Sequence, residues 1–458
     1  MKVLHRLGLG RLGATAFVAL ARRPWAAETL ARVTAWALAR RVRWVGPSRP
    51  KDGLQTLFAL SAQRIWPDAL MLSEERHFAV LTLPDNDQFF VQGAFFRNRA
   101  DPTAYRVDPR IGAIAAEFRS FLARVWPHFM RRIGAAGVIG AHFKYKQDLH
   151  WGPAAHAAGI PYFVIYRESL KLSVSEQAVL TGVCHRLGKF EGTKILTWND
   201  VVGDVLVNAG FVPRDKVVTT GNVRVGKFVA ACRANRRPPG AKPTATLFSM
   251  RAGDSLNGLN AGSWPANPYL GWVRLFERTH SAFAQAAIDS PHARFVIKTK
   301  WEHGVHDLIR HSLACRGLDA DKIKNLEITA KVDPNDLILQ SSVVVAFAST
   351  TLLEAGLGGG PVIVPEFEEA LDPYYREHLK LLDYYPYCTI ARSADELTRL
   401  VNEGVRSNLK VNAEIQRQRE RFFARLVCPL EGDPLQRCAD EIRAGLNPSG
   451  SLPRRQAA

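Results

Sequence analysis

Short apolar runs rich in β-branched residues recur along this chain and alternate with helix-forming stretches. An apolar run of about four to eight residues is typical of a buried strand, and a helical crossover between two such runs favours parallel pairing. The clearest runs are residues 137–141, 161–166, 194–198, 217–219, 244–250, 293–298, 326–329 and 361–364. The alternation predicts the α/β class, built on doubly wound parallel sheets.

An Arg-, Pro- and Gly-rich stretch interrupts this alternation at residues 231–243. A chain of 458 residues is too long for one ordinary core, and this composition is typical of a linker between domains. We therefore predict two Rossmann-like domains with further segments at both ends. The predicted segments are 1–60 (basic and helical), 61–230 (first domain), 231–243 (linker), 244–400 (second domain), 401–446 (C-terminal helices) and 447–458 (flexible tail).

Positive charge is concentrated near the beginning of the sequence. The formal net charge is +18, and residues 1–60 contain eleven Lys or Arg against two acids. Such a balance favours anionic partners, and without a recognisable nucleic-acid module we expect nucleotide phosphates or an acidic membrane surface. The apolar run Ala14–Ala21 is short and is followed by Arg22 and Arg23, which argues against a secretory signal. Two interpretations of segment 1–60 stay open, namely a helix on anionic lipid and a helix packed on the protein.

The six cysteines are scattered, without a Cys-x-x-Cys pair and without a histidine at metal-ligand spacing. This pattern is typical of reduced thiols and predicts a cytoplasmic location with no structural metal site.

The strongest local signal lies in residues 342–355, where an apolar run ends in Ser349, Thr350 and Thr351 and a helical pattern follows. Ligands of parallel sheets bind at the carboxyl ends of strands, where a helix N-terminus offers free N–H donors. The three hydroxyls are therefore predicted to bind phosphate, with capping of the helix as the alternative. One turn further on, Glu354 is predicted to accept hydrogen bonds from ribose hydroxyls, or else to stabilise the first helical turn.

The block from Asp336 through Glu354 to Ile363 resembles the donor-nucleotide segment of GT-B glycosyltransferases that assemble bacterial surface polysaccharides, such as capsule and lipopolysaccharide. The strand 295–298 also resembles one that ends in a Lys-x-His-Pro element in polysialyltransferases and glycerophosphotransferases, although this chain lacks the His-Pro pair. The resemblance covers residues 137–400. It implies a GT-B fold, in which two Rossmann-like domains face a central cleft, here with a basic N-terminal helical segment added.

The resemblance also implies an activity. We expect a glycosyltransferase that moves a sugar from a nucleotide-activated donor, CMP- or UDP-linked, onto a lipid-linked or membrane-carried glycan acceptor at the inner face of the cell membrane. The alternatives are a sugar-nucleotide 2-epimerase of the same fold and a glycerophosphotransferase-like polymer transferase. Neither a metal nor a cofactor is required by this scheme, and neither is expected.

Charge that develops on the leaving phosphate must be neutralised in such a reaction. Lys298 and Arg251, at the ends of two second-domain strands, are predicted to do this beside the hydroxyls, with surface ion pairs as the alternative. The turn formed by Gly221 and Asn222 is predicted to belong to the same donor-binding set.

An acceptor hydroxyl needs a proton acceptor if the reaction inverts the sugar. Glu168, which follows the strand 161–166, is the predicted general base, with a salt bridge to Arg167 or Lys171 as the alternative. His142 and Asp148, beyond the preceding strand, are further candidates for catalysis.

Overall fold

The computed structural model describes residues 11–46, 53–96, 104–146, 148–234, 242–250, 252, 271–300, 302, 304–376 and 378–447. These residues form two compact units. The first contains the described residues up to Ser169, Thr181–Arg224, and those from Asp433 onwards. The second contains Leu170–Leu180 and Val225–Gly432. The predicted linker residues 235–241 and tail residues 448–458 lie outside the described part of the chain.

The first unit is built on a seven-stranded sheet with the order β1-β3-β2-β4-β5-β6-β7. β1 pairs with β3 in antiparallel orientation, and all other neighbours are parallel. The strands are β1 (Arg43–Trp44), β2 (Thr56–Ala59), β3 (Ala79–Thr82), β4 (Ala135–Gly140), β5 (Tyr162–Ile165), β6 (Lys194–Thr197) and β7 (Val217–Thr219).

Helices connect these strands. They are Arg11–Ala21, Pro24–Ala39, Ala62–Glu74, Asp85–Phe96, Pro109–Ile133, Asp148–Ala157, Val174–Leu187, Asp200–Asn208 and Pro434–Leu446, of which Val174–Leu187 has its first residues in the second unit. Local chemistry sets their ends. The long helix begins at Pro109 because the side chain of Asp108 accepts a bond from the Arg110 N–H, and it ends at Gly134, whose φ of 66° glycine adopts readily.

The core of the first unit lies between its sheet and the helices that cover it. Leu57, Ile139 and Phe163 are fully buried on three neighbouring strands. Leu435 and Ile442 of the last helix join the same apolar cluster, so that this helix packs on the first sheet. The helix Pro434–Leu446 therefore completes a core whose first residue along the chain is Val45.

The second unit is built on six parallel strands in the order β10-β9-β8-β11-β12-β13. The strands are β8 (Thr244–Phe248), β9 (Arg294–Lys298), β10 (Leu326–Thr329), β11 (Val343–Val345), β12 (Val362–Pro365) and β13 (Thr389–Ala391). Counted within the unit, the order is third, second, first, fourth, fifth, sixth, which is that of a doubly wound Rossmann sheet. The predicted α/β class with two Rossmann-like sheets is confirmed.

The helices of the second unit are Gly226–Arg233, Val273–Asp289, Val305–Ala314, Pro334–Gln340, Thr350–Leu357, Pro373–Arg376, Ala394–Val405 and Ala413–Leu426. Side-chain caps begin several of them. Asp333 accepts bonds from the N–H groups of Asn335 and Asp336, and Ser393 accepts one from Glu396. These caps fix where the two helices begin.

Segment 1–60 contains the helices Arg11–Ala21 and Pro24–Ala39. The second of these packs on Pro109–Ile133 through small side chains, among them the fully buried Ala31 and Ala35. Its Glu28 carboxylate lies 2.7 Å from Nε2 of His128. None of the helices in the described ranges is long and apolar enough to cross a membrane.

Close packing in the first unit depends on a glycine at position 152. A Cβ atom there would lie 2.2 Å from Cζ of the buried Tyr162. We predict that Gly152→Ala lowers the free energy of unfolding by about 1–3 kcal/mol, because the ring cannot move without disturbing the core. Thermal and urea unfolding measure the change. Gly182→Ala is the control, since that helical glycine has open space around it and alanine favours the helix. Equal stability of the two variants would contradict the packing argument.

Candidate sites at the carboxyl edges of the two sheets

Each parallel sheet has one point at which its strand order reverses. In the second unit the reversal lies between β8 and β11, and in the first unit it lies between β2 and β4. Crossovers leave in opposite directions at such a point, so the loops beyond the strands separate and a crevice opens at the carboxyl edge.

The predicted hydroxyl turn lies at the reversal point of the second unit, directly beyond β11. Ser349 is the N-cap residue of the helix Thr350–Leu357, but its side chain makes no capping hydrogen bond. Capping by that side chain, the alternative interpretation, is therefore not what the structure shows. Ser349, Thr350 and Thr351 are half-buried, and no group in the described ranges pairs with their hydroxyls.

The backbone before the turn is strained. Ala348 has a φ of 45°, in the left-handed region that costs a non-glycine residue about 1–2 kcal/mol. This conformation turns the chain sharply from β11 into the helix. The N–H groups of Thr350 and Thr351 are then first-turn donors without an acceptor among the described residues. Free N–H groups, hydroxyls and the positive helix end together form an arrangement suited to an anion.

The neighbouring strand β8 brings a further hydroxyl to this edge. Ser249 Oγ lies 2.9 Å from Nε2 of the buried His280, and Nδ1 of the same ring lies 2.6 Å from the Phe276 carbonyl oxygen. Burial lowers the pKa of His280 to about 4, so the ring is neutral near pH 7. Since Nδ1–H donates to the carbonyl, Nε2 accepts from the Ser249 hydroxyl. His280 thus fixes the orientation of Ser249.

Lys298 lies at the end of β9, with β8 between it and β11. Its ammonium group donates to the carbonyls of Thr299, at 2.7 Å, and Ala330, at 3.0 Å, and burial lowers its pKa. The lysine is therefore held by backbone on the far side of β8. Glu354 lies close enough to Cys232 that burial and the carboxylate charge together raise the pKa of that thiol. Arg251 lies outside the described residues.

The first unit brings its three predicted catalytic residues together beyond β4 and β5. His142 is fully buried, and its backbone N–H donates to Asp148 Oδ2 at 3.1 Å. Nδ1 of His142 accepts the N–H of Lys144 at 3.0 Å, so its proton is on Nε2, which lies 3.7 Å from Glu168 Oε2. The Glu168 side chain is 35 % exposed, whereas His142 and Asp148 are inaccessible. Of the three, Glu168 alone can reach a substrate.

The surroundings of Glu168 favour its ionised form. Tyr145 Oη donates to Oε1 at 2.7 Å, and Lys144 Nζ lies 3.6 Å from Oε2. Burial acts against ionisation, but the interaction with His142, the charge of Lys144 and the hydrogen bond from Tyr145 outweigh it, so the pKa of Glu168 is lowered. A carboxylate with a lowered pKa is a weak base.

Asp148 has the opposite character. It is fully buried, and Ser61 Oγ donates to its Oδ1 at 2.9 Å. Burial raises the pKa of Asp148 to about 8, against a usual 3.8, and the nearby charge of Asp85 adds to the rise. Because Ser61 follows β2 and His142 follows β4, Asp148 ties the two strand ends at the reversal point. Its position is that of a structural anchor.

Sequence reasoning missed Ser61 and Tyr145. Ser61, with a φ of 51°, repeats the strand–serine–helix arrangement of the second unit. The signal was available, because an apolar run ends at Leu60 just as another ends before Ser349. Gly221 and Asn222, predicted with the donor set, lie in the first unit, where Asn222 Oδ1 accepts the Arg224 N–H at 3.2 Å.

Within the described ranges, no group of three or more His, Cys, Asp or Glu side chains has the arrangement of a metal site. All six cysteines are free thiols.

No protein-family model and no curated protein sequence matches this chain. Solved structures do resemble it. A UDP-GlcNAc 2-epimerase from Neisseria meningitidis has a TM-score of 0.47 at 13% identity over 85% of this chain and 99% of its own. The wall teichoic acid polymerase TagF has a TM-score of 0.49 at 10% identity, and the match covers 95% of this chain and 97% of TagF. A glycosyltransferase from Rickettsia africae has a TM-score of 0.45 at 10% identity, and the match covers 87% of this chain and 100% of that protein. With TM-scores below 0.5, these likenesses do not bear on activity.

The raised pKa of Asp148 makes stability depend on pH. Between about pH 4 and pH 8 the folded protein keeps a proton that the unfolded chain has released, so stability falls as pH rises. We predict that Asp148→Asn removes this loss, since the amide can accept from His142 and donate to Ser61. Melting temperatures from pH 5 to pH 9 should show the wild type falling relative to the variant up to about pH 8 and levelling off above it. The other titrating groups contribute equally to both proteins, so their effect cancels in the difference between the two melting temperatures. A difference that does not change with pH would refute the raised pKa of Asp148.

Proposed function

We propose that this chain is a glycosyltransferase that moves a sugar from a nucleotide-linked donor, with UDP or CMP as the nucleotide, onto a membrane-carried glycan of the capsule or lipopolysaccharide kind. The observation that carries the proposal is the hydroxyl turn Ser349–Thr351 at the reversal point of the second sheet. The Ser349 side chain makes no capping hydrogen bond. A residue whose role is only to cap the helix would make that bond.

The donor phosphates lie at this turn in our proposal. The N–H groups of Thr350 and Thr351 and the three hydroxyls donate to phosphate oxygens, while the positive helix end favours the same charge. As the bond to the sugar breaks, these fixed donors stabilise the negative charge that grows on the leaving phosphate.

The acceptor belongs to the first unit in the same proposal. Glu168 accepts the hydrogen bond of the attacking hydroxyl and takes its proton. Its lowered pKa makes this transfer favourable only once the hydroxyl has become acidic by bonding to the sugar, late in the reaction. Separate sites in the two units suit a reaction of two substrates. A 2-epimerase acts on one substrate, and assay of the donor without acceptor distinguishes the two reactions.

Loss of the hydroxyls tests the donor site. We predict that Ser349→Ala combined with Thr350→Ala weakens the binding of UDP, or of CMP if that is the nucleotide, by at least about tenfold. Each substitution removes a hydrogen bond to a charged phosphate oxygen and with it part of the binding free energy. Calorimetry measures the affinity. Ser393→Ala is the control, since Ser393 does cap its helix. It should lower stability by about 1 kcal/mol without changing affinity. Unchanged affinity in the double variant would exclude the turn as the phosphate site.

The acceptor's membrane location is supported by the helix Pro24–Ala39. Apart from Leu38, the side chains that this helix buries are small, whereas Trp25 is 76% and Trp36 47% exposed. Arg40 lies over the Trp36 ring at 4.8 Å. Arg23 and Arg40 form no ion pair within the described ranges. Exposed tryptophans among unpaired arginines suit the interface of an anionic bilayer. We propose that the protein is cytoplasmic and binds the inner membrane face through this helix.

Vesicle binding tests the exposed tryptophans. We predict that Trp25→Ser combined with Trp36→Ser reduces cosedimentation with vesicles of mixed anionic and neutral phospholipid several-fold, because the indole rings no longer enter the interface. Trp66→Ser is the matched control, as Trp66 is 41% exposed on another helix of the same unit and should be without effect. Equal binding of all three proteins would contradict the proposed membrane face.

A further inference from the structure

Three arginines from distant parts of the chain meet at the carboxyl edge of the first sheet. Arg64 lies on the helix that follows β2, Arg167 follows β5 and Arg224 follows β7. Arg167 and Arg224 share one partner, the buried Asp68, at 3.0 Å and 3.1 Å. Arg64 is exposed and forms no ion pair in the described part of the chain.

The way Asp68 is shared leaves both guanidinium groups open to a ligand. Each arginine approaches the carboxylate with its Nε atom. Their terminal nitrogens donate to no described group, and the side chains remain 23% and 34% exposed. A guanidinium group offers five N–H donors in a planar fork that fits two oxygens of one phosphate. Asp68 therefore positions two such forks side by side.

Aromatic rings orient two of the three arginines. The guanidinium of Arg64 lies 5.4 Å from the ring centre of Tyr145, and that of Arg224 lies 5.9 Å from the ring centre of Trp198. Contact with a ring face steadies the guanidinium plane without occupying its N–H donors. In addition, Asn222 holds the backbone of Arg224. The donors are thus oriented and unused.

The cluster carries an excess of positive charge. Three guanidinium charges stand against the one carboxylate of Asp68, which leaves two positive charges, while Lys144 and Glu168 beside them offset each other. Burial, together with the charges of Arg224 and Arg64, acts to lower the pKa of Arg167. This repulsion is relieved if a group with two negative charges binds.

We propose that Arg64, Arg167 and Arg224 form an oxyanion site that binds a phosphate or pyrophosphate group of the acceptor substrate. The excess of two charges favours a phosphate group over the single charge of a sugar carboxylate. Assignment of the phosphate to the acceptor rests on the proposed glycosyltransferase function, whereas the site itself does not. Tyr145, which contacts both Arg64 and Glu168, connects this site to the carboxylate proposed to receive the acceptor's proton.

Inorganic pyrophosphate is the probe for this site. Calorimetry is done on the full chain carrying Ser349→Ala and Thr350→Ala, so that the turn of the second unit does not take up the probe. We expect Arg64→Gln, Arg167→Gln and Arg224→Gln each to weaken pyrophosphate binding about tenfold, since each removes charge-assisted bonds. Arg167→Lys keeps the charge but not the fork and should give an intermediate loss. Arg132→Gln is the control, because Arg132 is an exposed arginine just before β4, at the opposite edge of the sheet.

Three results would overturn the proposal. They are absence of pyrophosphate binding, equal binding by the arginine variants and the control, and glucuronate binding as tight as that of pyrophosphate. Circular dichroism and melting temperature establish that each variant is folded. Titrations with UDP of the wild-type chain and of the chain carrying Ser349→Ala and Thr350→Ala report on the hydroxyl turn through the difference between them. If the two chains bind UDP equally while the arginine variants lose pyrophosphate, the donor proposal falls and the oxyanion site remains.

Discussion

Parallel strand pairing is the constraint on which the rest of this structure depends. Every parallel connection must carry the chain back across the sheet, so all parallel strands deliver their carboxyl ends to one edge. Residues as distant as Ser61, His142 and Arg224 therefore share an edge in the first unit. Where the strand order reverses, the crossovers separate and leave backbone donors uncovered. The hydroxyl turn and the Ser61–Asp148 bond occupy the two reversal points.

Two carboxyl groups of the first unit show how surroundings decide the protonation of chemically similar side chains. Asp148 is enclosed and has no cation beside it in the contacts described, so burial dominates and raises its pKa. Glu168 is partly exposed beside Lys144, Tyr145 and His142, which together hold it ionised. The first carboxyl connects the two strand ends, and the second is partly exposed to solvent. Opposite pKa shifts in one cluster thus give the two carboxyl groups different protonation states near pH 7.

The sequence predicted those features that depend on neighbours in the chain. The predicted strands and the turn at Ser349 follow from apolar runs and local hydroxyls, which is why their positions agree with the structure, whereas β1, β2, β3 and β13 were not predicted. Contacts between segments that are far apart in the sequence could not be predicted from it. Nothing local indicated that Asp68 would join Arg167 to Arg224, or that backbone carbonyls would hold Lys298. Asn222 was assigned to the donor set, although the structure shows it positioning Arg224 in the first unit.

The left-handed conformation of Ala348 bears on when the backbone of the turn loses its conformational entropy. A flexible loop that closes on a phosphate must lose its backbone freedom during binding, and the affinity falls accordingly. Here the turn is fixed as the second unit folds, and core packing around the buried Ala348 opposes its relaxation. A phosphate bound at the turn, as proposed, would meet donors that are already in place. A glycine at position 348 would adopt the left-handed conformation with less strain. It would also leave the turn flexible before a ligand binds, so that the loss of backbone entropy would occur during binding.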